Sequence, residues 1–256
     1  MERISQAEIL IQFMKFDILT LFPEMLAATL DTSIIGRAKQ AGILDVNYIN
    51  IRDFSANKHK KVDDYPYGGG TGMVMTCQPI FDAYKSIVDG LDYKPKTIYL
   101  TPQGKLFRQS VAKILAKSEQ HIILICGHYE GIDQRVLDEI VDMELSIGDY
   151  VLTGGEIAAM AVVDAVGRLV DGVLPNEDAH NKESLNDSLL EHPQYTRPAE
   201  WRGQIVPEVL TNGNHAEIEK WKREQSMVNT FNKRKSMLRN AKLSASEQEF
   251  LENLKK

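Results

Sequence analysis

Residues His121 to Cys126 read HIILIC, and Gly127 follows directly. Every position after the histidine is apolar, and three of these residues are β-branched isoleucines. Alternating polar and apolar residues would indicate a strand with one face in water, whereas a continuous apolar run indicates a strand that is covered on both faces. The stretch therefore predicts a central, deeply buried strand of a parallel sheet.

The segments on either side of this strand repeat an alternation of strands and helices. Short apolar stretches predict strands at residues 15–22 (KFDILTLF), closed by Pro23, and 97–100 (TIYL), closed by Pro102. Apolar residues at three- and four-residue spacing predict helices over residues 25–41, 78–88, 106–118 and 156–170. Strands that alternate with helices indicate an α/β fold.

The chain changes character after residue 174. Residues 174–188 are polar and aperiodic, and HPQYTRP adds two prolines, which predicts a linker between domains. An Asn-Gly turn at Asn212 and Gly213 precedes a predicted helix over residues 214–240. We therefore expect an extension at residues 1–14, a main domain at 15–174, a linker at 175–191 and a small helical domain at 192–256.

Composition narrows the class of protein. The 256 residues are 43% hydrophobic and 26% charged, and no apolar run approaches the ~20 residues of a membrane span, which predicts a soluble protein. The first thirteen residues lack the features of a signal peptide. The chain has two distant cysteines, Cys77 and Cys126, which predicts free thiols in a reducing cytoplasm. We expect a cytoplasmic protein.

Charge is distributed unevenly along the chain. The net charge of −6 argues against a nucleic-acid partner, because such binding depends on neutralising phosphates with Lys and Arg. Between Lys220 and Lys242, however, eight basic residues face a single acidic one, Glu224, for a local charge of +7. This stretch is either a nucleic-acid surface or a solvated helix face.

Four glycine-bearing segments are candidates for a ligand site. Tyr67–Met75 (YGGGTGMVM) lacks the Gly-Lys-Ser or Gly-Lys-Thr of a phosphate loop, so its glycines serve either a turn or the close approach of a flat ligand. The other three segments each follow an apolar stretch: TPQG at 101–104, GHYEGID at 127–133 and SIGDYVLTGGE at 146–156. Loops at the carboxyl ends of parallel strands converge on one pocket, which favours a shared site.

Together with HPQYTRP, these motifs resemble the tRNA (guanine-N1)-methyltransferase (TrmD) family in order and spacing, from residue 15 to about 238. The resemblance implies the SPOUT fold, a parallel sheet with a deep trefoil knot, in a homodimer with a small C-terminal helical domain. It also implies methyl transfer from S-adenosylmethionine to N1 of guanine 37, just 3′ of the tRNA anticodon.

The resemblance implies which residues hold the methyl donor. Family members grip it largely with backbone groups, which suits loops rich in glycine. Glu130 matches a carboxylate near the donor's amino-acid end, where its charge favours an ammonium or sulfonium. The full set of implied donor-binding residues is Thr101, Pro102, Gly104, Gly127, Tyr129, Glu130, Ile147, Gly148, Asp149, Tyr150, Val151, Leu152, Gly154 and Gly155.

The resemblance also implies catalytic residues. Guanine N1 carries a proton at neutral pH, so a base must remove it, and a cation such as Arg168 is suited to stabilise the charge that develops on O6. The family base is usually an aspartate in the linker. An ungapped count puts Glu183 there, and glutamate can do the same work. The alternative is Asp187, whose Asp187-Ser188 pair copies the usual family dipeptide.

The resemblance makes the tRNA anticodon arm the partner of the helical domain, with Lys222, Arg223 and Arg234 as expected phosphate contacts. It leaves a dependence on Mg²⁺ open, and no metal-ligand spacing in the chain predicts a bound ion. His128 stands where many family members carry arginine. The rival interpretations are a SPOUT protein that binds RNA without catalysis and one that methylates a different target.

Overall fold

The computed structural model describes residues 13–175 and 188–254. The chain divides into two compact units, residues 1–175 and 176–256. The division falls inside the polar segment for which the sequence predicts a linker. Within the described ranges, no helix combines the length and the apolar character needed to cross a membrane.

A five-stranded parallel sheet forms the centre of the first unit. Its strands are β1 (Met14–Thr20), β2 (Leu44–Asn50), β5 (Lys96–Leu106), β6 (His121–Cys126) and β7 (Met143–Ser146), in the spatial order β2-β1-β6-β5-β7. A separate antiparallel pair consists of β3 (Asp63–Asp64) and β4 (Val74–Met75). All residues of β6 are buried, which confirms the central strand that HIILIC predicts.

Helices cover both faces of this sheet. They are α1 (Pro23–Leu30), α2 (Ser33–Gln40), α3 (Cys77–Val88), α4 (Gln109–Ser118), α5 (Gln134–Ile140) and α6 (Glu156–Gly167). Alternate residues of β6 enter two different cores: Ile122 and Leu124 pack on the side of α1, α2, α4 and α6, whereas Ile123 and Ile125 pack on the side of α3 and α5. The predicted α/β class is therefore confirmed.

Three sequence predictions in this unit are wrong in detail. The single helix expected over residues 25–41 is two helices, because the chain turns at Asp31 and Thr32 and Ser33 takes a left-handed φ of +54°. The helix expected from residue 106 begins at Gln109, because β5 continues to Leu106. The TPQG segment, expected as a loop, accordingly lies within β5, where pairing with β7 shifts register between Leu100 and Lys105.

The second unit is largely helical in its described part. A short hairpin of β8 (Glu200–Trp201) and β9 (Gln204–Ile205) precedes α7 (His215–Arg234) and α8 (Ala245–Asn253). The helix predicted over residues 214–240 is thus α7 followed by a 3-10 helix at Lys235–Asn240. Leu189, Met227 and Leu251 form its buried core.

Arg223 is partly buried and makes hydrogen bonds within this unit. Its Nε donates to Glu247 Oε1 at 2.7 Å, and its guanidinium also donates to the Lys242 carbonyl at 3.0 Å. The two bonds connect α7 to the start of α8. Arg223 is one of the three expected phosphate contacts, and in this structure its guanidinium connects α7 to the segment that begins α8.

Candidate active site

A cavity of about 370 Å³ opens at the carboxyl ends of β5, β6 and β7. This volume is within the range of sites that bind small molecules. Three chain segments line it, within residues 99–103, 127–137 and 144–158. These are the segments that carry TPQG, GHYEGID and SIGDYVLTGGE, so the three glycine-bearing segments meet at one place.

Most of the residues expected at the donor line this cavity. They are Thr101, Pro102, Gly127, Tyr129, Glu130, Ile147, Gly148, Tyr150, Val151, Leu152, Gly154 and Gly155. Gly104 and Asp149 do not line it. Gly104 lies directly behind the wall, since a Cβ on it would meet the backbone nitrogen of Leu145, a lining residue, at 2.4 Å.

Glycines shape the cavity by allowing backbones to come close. A Cβ on Gly155 would lie 2.7 Å from Cys126 Cα, so the start of α6 packs directly on the end of β6. A Cβ on Gly127 would lie 2.9 Å from the Tyr99 hydroxyl oxygen. Larger residues at these positions would push apart the segments that form the cavity.

The YGGGTGMVM segment adjoins the same cavity. Glu130 donates its backbone N–H to the Met73 carbonyl at 3.0 Å, and Met75 donates to the Gly131 carbonyl at 2.9 Å. Gly72 has a φ of +93°, and a Cβ on it would lie 2.5 Å from Glu130 Oε1. At Gly72 the glycine therefore serves both a left-handed turn and close packing against a lining residue.

At the cavity mouth, one residue has an unusual backbone conformation and two backbone N–H groups make no hydrogen bond to the backbone of another described residue. Tyr129 has a left-handed φ of +59°, a conformation that is costly for a non-glycine residue and is frequent at functional sites. Among the described residues, no backbone group of another residue bonds to the N–H groups of Val151 and Leu152. Such groups are open to a ligand.

One ionisable pair lies at the cavity wall. His128 Nε2 is 2.9 and 2.8 Å from the two carboxylate oxygens of Glu156, and the Thr20 hydroxyl donates to Glu156 Oε1 at 2.6 Å. Glu156 is 2% exposed and Thr20 is fully buried. Burial by itself raises the pKa of Glu156, but the hydrogen bonds from His128 and Thr20 outweigh burial, so the pKa lies below its ordinary value.

Two other groups near the cavity floor are held in their neutral forms. Burial raises the pKa of the Tyr99 hydroxyl. Burial, together with the charge of Glu156, raises the pKa of the Cys126 thiol well above its ordinary value. Neither group is therefore suited to act as an anionic nucleophile at neutral pH.

Of the expected catalytic residues, Arg168 alone lies within the described part of the chain. Arg168 follows the last turn of α6, whose first residue, Glu156, is at the cavity; twelve helical residues separate the two ends by about 18 Å. Glu183 and Asp187 lie outside the described residues. No cluster of His, Cys, Asp or Glu suited to a metal ion occurs in residues 13–175 or 188–254.

Several lining residues are not expected from the sequence. Glu144 and Leu145 come from β7, a strand too short to produce a recognisable pattern, and Ser146 and Thr153 fall inside a motif whose other members are singled out. The pairing of His128 with Glu156 joins residues that are 28 positions apart. Only the folded chain brings them into contact.

Comparison with known proteins identifies the family. The family model described as tRNA (Guanine-1)-methyltransferase TrmD matches residues 14–240. A tRNA (guanine-N(1)-)-methyltransferase of Ruminiclostridium cellulolyticum is 59% identical over 221 residues, 86% of this chain and 94% of the relative. Proteins of the same name from Alkaliphilus oremlandii and Clostridioides difficile are each 55% identical, covering 93% and 86% of this chain and 97% and 96% of their own. The chain belongs to the tRNA (guanine-1)-methyltransferase family.

Proposed function

We propose that the protein transfers a methyl group from S-adenosylmethionine to N1 of guanine 37 in tRNA. The observation that carries this proposal is the meeting of three family motifs around one cavity. Its relatives bear the name of an enzyme that methylates guanine N1 in tRNA. The position in the tRNA and the identity of the donor are our inference from the family.

The cavity suits S-adenosylmethionine in size and chemistry. The backbone N–H groups of Val151 and Leu152, to which no backbone group of the described residues bonds, can bind an adenine edge, and the glycines leave room for a bent ligand. Glu130 at the mouth provides a carboxylate for the positively charged end of the donor. When bound, S-adenosylmethionine supplies an electrophilic methyl group, which leaves sulfur as a nitrogen bonds to it.

The chain's own residues must free the lone pair on guanine N1. We assign the removal of the N1 proton to Glu183, with Asp187 as the alternative. Arg168 is assigned to O6, where its guanidinium would stabilise the negative charge that builds up as the proton leaves. Both assignments rest on positions matched to the family.

Arg168 lies at the far end of α6 from the cavity. Twelve helical residues, a rise of about 18 Å, separate it from the start of α6, and this distance favours a role for Arg168 at the site of a neighbouring subunit. We therefore propose that Arg168 of the partner subunit completes each active site. We also propose the family's deep trefoil knot for the segment around the cavity, and a cytoplasmic setting in which tRNA is available.

The C-terminal unit is the proposed tRNA-binding part. Lys222 is exposed enough to exchange its contact with Glu219, 2.8 Å away, for a phosphate. Lys235 lies 4.5 Å above the ring of Phe231, which places a cation beside an exposed groove of α7 and α8. An arm of tRNA offers both phosphates and bases to such a surface.

The test is methyl transfer from labelled S-adenosylmethionine to an unmodified tRNA with guanine at position 37, followed by nucleoside analysis. We expect 1-methylguanosine from the wild type and none from a tRNA with adenine at that position. Glu183→Gln should abolish transfer, with Asp187→Asn as its matched control. If only Asp187→Asn abolishes methyl transfer, Asp187 is the base instead.

Other products would identify the alternatives. A 2′-O-methylated nucleoside would mean a differently targeted enzyme, and binding of donor without transfer would mean an RNA-binding protein that lacks catalysis. Repeating the assay with excess EDTA tests a requirement for Mg²⁺, which we propose only as an added ion. A mixture of Arg168→Ala and Glu183→Gln subunits should regain activity if each site takes Arg168 from one subunit and Glu183 from the other.

A further inference from the structure

The Thr20–Glu156–His128 network joins three separate parts of the first unit. Thr20 is the last residue of β1, Glu156 is the first residue of α6, and His128 lies just beyond β6 in the loop that lines the cavity. Neither Thr20 nor Glu156 lines the cavity, whereas His128 does. Glu156 therefore contacts the cavity through His128.

Hydrogen-bond directions in this network can be assigned from the heavy atoms. The Phe22 N–H donates to Thr20 Oγ1 at 2.9 Å, so the hydroxyl proton of Thr20 is directed to Glu156 Oε1, 2.6 Å away. An ionised Glu156 accepts only, so the proton between it and His128 belongs to His128 Nε2. The carboxylate thus fixes both the orientation of the ring and the place of its proton.

We propose that Glu156 is a positioning residue of the methyl-transfer site, which holds His128 as its Nε2–H form against the bound donor. This rests on the proposed function, because it assigns the cavity to S-adenosylmethionine. The ring also packs 5.0 Å from Phe22 and 6.3 Å from Tyr129, centroid to centroid, so its place affects the strained loop at the cavity mouth.

The network predicts an unusual effect for Glu156→Gln. Thr20 must still donate, so the amide oxygen faces Thr20 and the amide nitrogen faces His128. The amide nitrogen then lies 2.8 Å from His128 Nε2, so continued donation by Nε2–H to the amide oxygen, 2.9 Å away, would set two donors against each other. We therefore expect Nε2 to accept and the ring proton to move to Nδ1. Glutamine has nearly the same shape as glutamate, and the substitution reverses only the hydrogen bond between residue 156 and His128. If Glu156 served packing alone, Glu156→Gln would therefore leave donor affinity unchanged.

The main measurement is calorimetric titration with S-adenosylmethionine and with its stable product, S-adenosylhomocysteine. Glu156→Gln should weaken both by about tenfold to a hundredfold, the range for a lost hydrogen bond to a charged group. In a His128→Ala background the same substitution should add no further loss, because Glu156 acts through the ring. Glu139→Gln, an exposed glutamate on α5 that does not line the cavity, is the matched control and should bind normally.

Nitrogen NMR of the His128 ring gives a second readout that needs no ligand. We expect an Nε2–H signature in the wild type and Nδ1–H in Glu156→Gln. If His128→Ala does not fold, His128→Gln can replace it in the double-mutant comparison. The proposal would be overturned if Glu156→Gln bound donor as tightly as the wild type. It would also be overturned if Glu156→Gln weakened donor binding by the same factor in the His128 variant as in the wild type. A wild type that binds no donor would instead overturn the proposed function, while the NMR signature still reports on the network.

Discussion

Replacing Gly104 with alanine should damage the proposed donor cavity from behind its wall. Gly104 lies in β5 where pairing with β7 shifts register, and its added Cβ would stand 2.4 Å from Leu145 N and 2.5 Å from Glu144 C. Ordinary contacts begin at 3.4 Å, and both neighbours are backbone atoms that cannot rotate away. The two strands must therefore separate by roughly 1 Å, the scale of overpacking changes in a packed core.

This shift displaces Leu145, which lines the cavity, and the strand that leads into SIGDY. A misplacement of about 1 Å near a reaction centre can cost about a hundredfold in rate. We expect a loss of this order in kcat/KM for methyl transfer, together with a loss of about 1–3 kcal/mol in unfolding free energy. The melting temperature should fall by roughly 2–4 °C for each kcal/mol.

Gly90→Ala separates stability from function in this experiment. Gly90 has a φ of +89°, but a Cβ added to it would have no atom within 4 Å, so alanine there adds strain of about 1–2 kcal/mol without steric contact. It precedes β5, at the end of the strand opposite the cavity. Gly90→Ala should therefore melt earlier yet bind donor normally. If Gly104→Ala also binds and transfers normally, the reasoning from the close approach of β5 and β7 is wrong.

Four further predictions concern other parts of the molecule. His121→Leu removes the 2.6 Å hydrogen bond to the buried Asp17 carboxylate but leaves its contacts with Asn47 and Lys15, and should cost about 1–3 kcal/mol in a urea titration, with donor affinity retained. Burial raises the pKa of Asp17, but its hydrogen bonds outweigh burial and hold this pKa below its ordinary value. The ionised carboxylate therefore stabilises the fold at pH values above the ordinary pKa, and this stabilisation is lost as pH falls towards the lowered pKa. Asp17→Asn should make the free energy of unfolding depend less on pH in this acid range. In native protein, iodoacetamide should label the half-buried Cys77 before Cys126, whose thiol is fully buried and should react only on unfolding. Ser244→Ala removes the capping box of α8 and should cost the C-terminal unit about 1 kcal/mol, measured by thermal melting.

The sequence predicts the elements whose pattern is local and continuous. HIILIC coincides with β6 because a strand covered on both faces is apolar throughout. The pattern does not predict β2 (LDVNYIN), because this strand lies at the sheet edge and nearly half of its residues are polar. β7 spans only four residues, too few to show a period. Edge and short strands are recognised only through their neighbours.

In the site, too, local motifs can be recognised in the sequence, whereas contacts between residues far apart in the chain cannot. The glycine-bearing segments can be found in the sequence, and their convergence follows from the parallel sheet. Which of their residues bind the proposed donor is inferred from the family resemblance, since contacts made by backbone groups would leave no side-chain signature. The contact of His128 with Glu156 depends on tertiary packing that no window of sequence contains.

The hydrogen bond from Thr20 to Glu156 joins residues 136 positions apart and has a consequence for biosynthesis. A chain emerging from the ribosome completes β1 early, but the cavity cannot close until the start of α6 has also emerged. Pairing of such distant segments is slow, because loop closure must precede the contacts that reward it. Donor binding should therefore appear as one of the last events in maturation of the first unit. A ligand that binds only the finished cavity would then draw late folding intermediates toward the native state.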